Sequence, residues 1–307
     1  MTGAPADTST ADTPSADFRV LEETARTWHP ADTRATDPLD PAPVAALSAV
    51  LDLPDPVAAA GQPLPPLWHW LHFLHWPRQS ELGPDGHLRD GHFLPPLPQR
   101  RRMFAGGRLE VRTPLTVGQP AEQTSSVVKV QAKQGRTGGL LFVTARTEFR
   151  QDGEVRVVEE QDIVYRSGGG APVPDRITLD PAAAPHSDAP WQLPWTTDPA
   201  VLFRVSALTA NAHRIHYDQP YVTGVEGYPG LVVHGPLLVL QMLELVRRHA
   251  PDRTVHTLSY RLRQPSFCGE RLLSCGAPYE ADGAAGVRLS VAGPRAAEHA
   301  TAEVTFA

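Results

Sequence analysis

Residues 207–221 read ALTANAHRIHYDQPY and bring Asn211, His213, Arg214, His216 and Asp218 together in one short stretch. An imidazole with an unperturbed pKa of about 6.5 can take and return a proton at neutral pH. His216 is therefore either a base or a structural histidine bonded to a backbone carbonyl. Asn211 can donate and accept hydrogen bonds, but its amide cannot act as an acid. His213 is either a second base or a polar support. Arg214 carries the planar donor fork that matches a carboxylate. Asp218 stands two residues past His216, so in an extended segment the two share a side. It is a second acid, a carboxylate behind the imidazole, or a turn residue before Gln219-Pro220. Further on, VEGYPGLVVHGPLLVL reads as a loop opening into a helix at His234-Gly235-Pro236. The first N–H groups of a helix lack intrahelical partners and attract an anion. Glycine at that point allows close approach of a ligand. Proline in the first turn equally suits a helix start that binds nothing.

The elements that must position these groups follow from periodicity. GPLLVLQMLELVRRHAPD is apolar round most of its surface and is expected as a buried helix. VLFRVSALTA is expected as a strand entering the polar stretch. TVHTLSYRLRQPSF, ERLLSCGAPYE, AGVRLSVAG and HATAEVTFA are strand candidates. A helix followed by antiparallel strands is an α+β pattern. The first half has its own helix, DPAPVAALSAVLDL, with Asp40 at its start. Strands are expected over 108–165, broken by a hairpin signal at Gln-Asp-Gly. Between them, PLPPLWHWLHFLHW crowds aromatic residues and histidines; it is a ligand-facing wall or packed core. Arg100, Arg101 and Arg102 follow a proline-stiffened segment and grip an anion or form a solvated loop. Residues 1–20 are expected to be a disordered tail, and 167–190, rich in Gly, Pro and Ala, a linker. Two units result, 21–166 and 191–307.

The 307 residues carry a formal net charge of -6 and a sequence pI near 6.1, which offers no footprint for nucleic acid. No apolar run reaches the roughly 20 residues of a membrane span. The start of the chain lacks the pattern of a signal peptide. Cys268 and Cys275 form no metal or redox motif and read as reduced thiols. These features lead to the expectation of a cytoplasmic protein. No metal is expected, because the histidines lack a carboxylate- or cysteine-rich partner set.

On these motifs the second half resembles the hotdog-fold (R)-specific enoyl-CoA hydratases, the MaoC-like dehydratases. Their signature histidine matches His216, preceded by Ile215, and their His-Gly matches His234-Gly235. Their aspartate falls on Asn211, and their Asn-Pro pair falls on His213-Arg214. SALTANAHRIHYD, RRMFAGGRLEV and YPGLVVHGPL are similar to the branch holding mesaconyl-C4-CoA hydratases and mitochondrial 3-hydroxyacyl-thioester dehydratases. The resemblance covers roughly residues 65–307 and implies an α+β double hotdog, with two antiparallel sheets each wrapped on a central helix.

It also implies the chemistry. Water adds reversibly across the double bond of an enoyl-CoA, with no cofactor beyond the CoA of the substrate. His216 is the expected base, Asn211 orients water or thioester, and Gly235 receives the thioester oxygen. Asp218 and His213 are candidates for support. Arg214, Arg204 and Arg101 are candidates for the substrate's carboxylate or its phosphates. The first half is expected to shape the acyl pocket without catalysing, and a homodimer fits the same resemblance. A carrier-protein dehydratase, a thioesterase and a non-catalytic thioester binder remain as alternatives.

Overall fold

The computed structural model describes residues 16–97, 101–135, 138–166, 177–281 and 283–307. The first half contributes helix α1 (Ala16–Thr27), strand β1 (Thr33–Asp37), helix α2 (Pro41–Val50) and strands β2 (Arg101–Val111), β3 (Ala121–Gly135), β4 (Gly138–Gln151) and β5 (Glu154–Arg166). The second contributes strand β6 (Trp191–Trp195), helices α3 (Pro199–Leu208), α4 (Gln219–Gly224) and α5 (Gly235–His249), and strands β7 (Val255–Leu262), β8 (Leu272–Ala281), β9 (Ala284–Gly293) and β10 (Ala296–Phe306).

Local rules account for the element ends. Asp40 caps α2 by accepting from the Ala42 N–H at 2.7 Å, with Pro41 opening the helix. The expected hairpin joins β4 to β5 through Asp152 and Gly153, both at positive φ (53° and 80°), as a tight two-residue turn requires. VLFRVSALTA, expected as a strand, is instead helix α3. Asp198 accepts from the Val201 N–H at 2.8 Å and Pro199 follows it, so the cap outweighs the strand propensity of the segment. Residues 16–20 of the expected tail belong to α1; residues 1–15 lie outside the described residues. Of the expected linker, 167–176 lie outside them too, and 177–190 carry no helix or strand.

Ten strands form one antiparallel sheet in the order β1-β3-β4-β5-β2-β7-β10-β9-β8-β6. Counted within each half, both halves follow the order first, third, fourth, fifth, second. The two expected sheets therefore repeat one topology and join by their second strands. At this seam β2 pairs with β7 from Gly106 opposite Arg261 to Glu110 opposite Thr257. Pairing the two edges leaves no open strand there. Glycine is needed at the seam: a Cβ on Gly107 would sit 2.5 Å from the Glu160 carbonyl oxygen and 2.6 Å from Tyr260 Oη.

One apolar core crosses both halves. It runs from Val44 and Leu47 of α2 through Leu109 and Phe149 to Leu238 and Met242 of α5. Helix α5 packs on β6, β8, β9 and β10, and its Leu237, Val239 and Leu245 are fully enclosed, as its composition predicted. The first half's α2 is shorter, ten residues against fifteen. Helix α1 covers β3 and β4 with a second, smaller cluster around Leu21 and Leu141.

Candidate active site

The polar stretch leaves α3 through a sharp turn. Ala210 takes a positive φ of 49°, and the Asn211 N–H returns to the Ser206 carbonyl at 2.9 Å. Asn211 Oδ1 then accepts from the His213 N–H at 3.0 Å. This side-chain turn fixes where His213 stands. A 3-10 turn over Arg214–His216 follows, and Asp218 caps α4 by accepting from the Tyr221 N–H at 3.1 Å.

His216 ends this path buried, on the wall of a cavity of about 1830 Å³. Its Nδ1 lies 2.7 Å from the Val232 carbonyl, which can only accept, so Nδ1 carries the ring proton. Nε2 keeps its lone pair and has no protein partner among the described residues. His216 is thus tied to a backbone carbonyl, as the structural reading expected, and it also lines the cavity. Burial pushes its pKa down to about 3, against the opposing pull of the Val232 carbonyl, so the ring is neutral at pH 7. It stacks on His234 with centroids 3.8 Å apart. His234 is buried in turn, bonds Ser206 Oγ at 2.9 Å, and is driven well below its usual pKa by desolvation.

His234 is the residue before α5, and Gly235 begins the helix on the cavity wall. A Cβ on Gly235 would overlap Leu262 Cδ1 of β7. Glycine thus lets the helix end seat against the sheet. Pro236 has no N–H, and the Leu237 and Leu238 N–H groups both donate to the His234 carbonyl, so the Gly235 N–H is the group at this helix end left without an intrahelical partner. A neutral imidazole lone pair and a helix N-terminus now share one wall. That pairing can remove a proton at one atom and stabilise negative charge at another.

The remaining sequence candidates separate. His213 faces the cavity, its ring 5.6 Å from that of His216, and burial pushes it to about 3 as well. Arg101 lines the cavity at the exposed start of β2, as does Arg102. Arg214 does not serve the cavity. Its Nε and Nη2 hold Asp218 at 2.9 and 2.7 Å, its Nη1 donates to the Pro84 carbonyl at 2.8 Å, and its guanidinium lies over Tyr221. A guanidinium with all these partners cannot also bind a substrate carboxylate without breaking them. Asp218, occupied by Arg214 and the α4 cap, is correspondingly not behind His216, whose Nδ1 is taken by Val232. Arg204 is exposed on α3 and absent from the cavity wall, because the helix turns it the other way.

Sequence reasoning missed the loop over 83–88. The Arg214 N–H donates to the Asp85 carbonyl at 2.9 Å, and a Cβ on Gly86 would overlap the Ala212 carbonyl oxygen. The loop is therefore pressed against the histidine-bearing stretch. It carries Asp85 and His87, paired at 3.0 Å, with the His87 ring 3.9 Å from that of His213. The hydrogen bond from His87 holds the Asp85 carboxyl down to about 2, although burial opposes it. One ligand atom each from Asp85, His87 and His213 lies within 4.8 Å of the others. The only trace of this in the sequence is a Pro-Asp-Gly turn followed by His.

The aromatic segment proves to be both wall and core. Trp68 and Leu71 enter the core, while Trp70, Phe73 and Trp76 line the cavity. Behind them Glu159 is buried and takes His69 Nε2, Trp70 Nε1 and Gln161 Nε2, each at 2.8 Å. Burial works to raise its pKa, but His69 and these donors hold it below the usual carboxylate range.

The hydroxyacyl-thioester dehydratase type 2 family matches residues 67–268, the span that carries the seam strands, the 83–88 loop, His213, His216 and His234-Gly235. This chain belongs to that family. The hydroxyacyl-thioester dehydratase fold is also seen in its structural neighbours. HtdX of Mycobacterium tuberculosis is 18% identical with a TM-score of 0.56, covering 89% of this chain and 99% of that one. A MaoC-like dehydratase from Phytophthora capsici is 15% identical with a TM-score of 0.63, covering 93% and 98%. Among curated relatives, mesaconyl-C(4)-CoA hydratase of Chloroflexus aurantiacus is 46% identical over 225 residues, 72% of this chain and 78% of its own. The mitochondrial hydroxyacyl-thioester dehydratase type 2 of Schizosaccharomyces pombe is 28% identical over 271 residues, 78% and 88%. The chain is thus a hydro-lyase of the hotdog dehydratase type. Among the described residues, no helix is long and apolar enough to cross a membrane.

Proposed function

We propose that this dehydratase-family member hydrates an enoyl-CoA, with mesaconyl-C4-CoA as substrate and citramalyl-CoA as product, and that His216 is its base. The observation that carries the reading is the tautomer of His216: Nδ1–H is committed to Val232, which leaves the Nε2 lone pair toward the cavity beside the start of α5. Water bound at Nε2 gives up a proton as its oxygen attacks Cβ. The electron pair of the double bond moves into the thioester, whose oxygen rests against the Gly235 N–H at the start of α5. A buried imidazolium is costly alone, and the enolate formed at the same moment supplies its counter-charge. Asn211 holds the turn that presents His213, and its amide Nδ2 is available to water or thioester. Arg101 and Arg102, at the exposed rim and without an ion pair among the described residues, suit the phosphates of CoA. The 46% identity to a mesaconyl-C(4)-CoA hydratase supports this substrate over a carrier-protein thioester.

The test is to mix the protein with mesaconyl-C4-CoA, itaconyl-CoA and crotonyl-CoA and follow enoyl-thioester absorbance and free thiol. Loss of absorbance without thiol release is expected, fastest with the mesaconyl thioester. His216→Gln should lower kcat by roughly 10²–10⁴-fold, the range of positioned acid–base catalysis. Thiol release would make the protein a thioesterase, and full activity in the glutamine variant would remove His216 from the chemistry.

A further inference from the structure

Hydration moves two protons, one off water and one onto Cα, and the position of the family's usual aspartate is here Asn211, which can move neither. Its Oδ1 is in any case taken by the His213 N–H. A carboxylate does reach this wall, from the other half of the chain. Asp85 Oδ2 bonds His87 Nδ1 at 3.0 Å, and Asp85 Oδ1 accepts the His87 N–H at 3.0 Å, so one carboxylate fixes both the backbone and the ring of His87. The His87 ring lies against His213 at 3.9 Å, and the His213 ring stands edge-on to His216 at 5.6 Å. All four groups line one cavity. The loop that carries the pair cannot drift. It is clamped by Arg214 on the carbonyls of Pro84 and Asp85 and by the bare Cα of Gly86 against Ala212. This also explains why Arg214 is spent on the loop instead of on a ligand.

Resting on the reading of His216 as the base, we infer that His213 is the second proton-transfer group, and that Asp85 and His87 of the first half act through it as positioning residues. In hydration, the bond from water oxygen to Cβ forms as one O–H bond of water breaks, its proton going to His216 Nε2. The Cα–H bond then forms with a proton from His213. His213 regains its proton from solvent in the open cavity, while His87, fixed by Asp85 through backbone and ring, holds the His213 ring in place. The proton held on His216 Nε2 leaves to solvent in the same cavity, so the enzyme ends as it began. The buried, neutral state of His213 suits this role, since a neutral imidazole offers a donor and an acceptor together. The first half thus completes the site as well as shaping its pocket.

Asp85→Asn and His87→Gln are compared with wild type for hydration of whichever enoyl-CoA the wild type turns over. Asp85→Asn preserves shape, removes the charge and replaces one of the two acceptor oxygens with a donor. We expect kcat to fall by about 10²-fold or more with KM changed by less than about threefold, the scale of a lost proton-transfer partner. Asp85→Glu should recover part of kcat. In the ligand-free protein, Asp85→Asn should shift the imidazole nitrogen signals of both His87 and His213. A kcat within about twofold of wild type in both variants, His213 signals that do not move, or activity removed by a chelator and restored by a divalent cation would each overturn this assignment. A wild type inert on every enoyl-CoA overturns the proposed substrate instead, and the nitrogen signals then still decide whether the three groups are coupled.

Discussion

Asn211 shows how one side chain can keep a signature's geometry while losing its acid. Its Oδ1 ties down the His213 N–H, a bond that an aspartate at the same place would also make. Asn211→Asp should therefore retain the turn and retain or raise hydration. Asn211→Ala loses the acceptor and the amide donor together. The lost hydrogen bond is worth roughly 1 kcal/mol, and because it positions His213, kcat should fall by about tenfold or more. Steady-state kinetics of the two variants, side by side, check this; an alanine variant with full kcat would show the turn to be dispensable.

At the scale of elements, the site depends on a seam between strands that are far apart in sequence. β2 meets β7 so closely that Gly107 has no space for a methyl group beside the Glu160 carbonyl and Tyr260 Oη. Gly107→Ala should destabilise by about 1–3 kcal/mol, as overpacking does, and lower the thermal midpoint. The same substitution should reduce hydration, because the cavity takes residues from both sides of the seam: Arg101 to Ala105 from β2, and Leu262 at the end of β7 with Arg263 to Ser266 beyond it. Thermal unfolding followed by an activity assay separates these two effects. An unchanged midpoint would mean that the strands part to admit the methyl group without cost.

For the whole molecule, the buried imidazoles set the response to acid. His213 and His216 are held at about 3 in the folded state, chiefly by desolvation, while the unfolded chain titrates them near 6.5. Below pH 6.5 the unfolded state binds the extra protons, so stability is complete above that value and is lost as pH falls toward 3. His234 acts in the same direction. Asp85, held at about 2 against 3.8, adds a further loss below pH 4. For His216 the slope should approach about 1.4 kcal/mol per pH unit well below pH 6.5. Denaturant midpoints measured from pH 7 to pH 4 should fall steadily, and His216→Gln should flatten that fall. A flat wild-type profile would mean that these rings take up protons in the folded state.

The order of residues along the chain determined what spacing, caps and periodicity can encode. The His-x-x-His stretch, the His-Gly at a helix start, the buried apolar α5, the Asp-Gly hairpin and the α+β class are all local, since each depends on neighbours a few positions away. α3 was misread because an Asp-Pro cap outweighs the strand propensity of VLFRVSALTA. Only the tertiary structure decided which polar groups meet. It drew Arg214 and Asp218 into each other, turned Arg204 away, and set Asp85 and His87 against His213 from more than a hundred residues earlier. A local pattern cannot state such a meeting. It exists only once β2 and β7 close the two halves into one sheet and the 83–88 loop is pressed onto the chain that leaves α3.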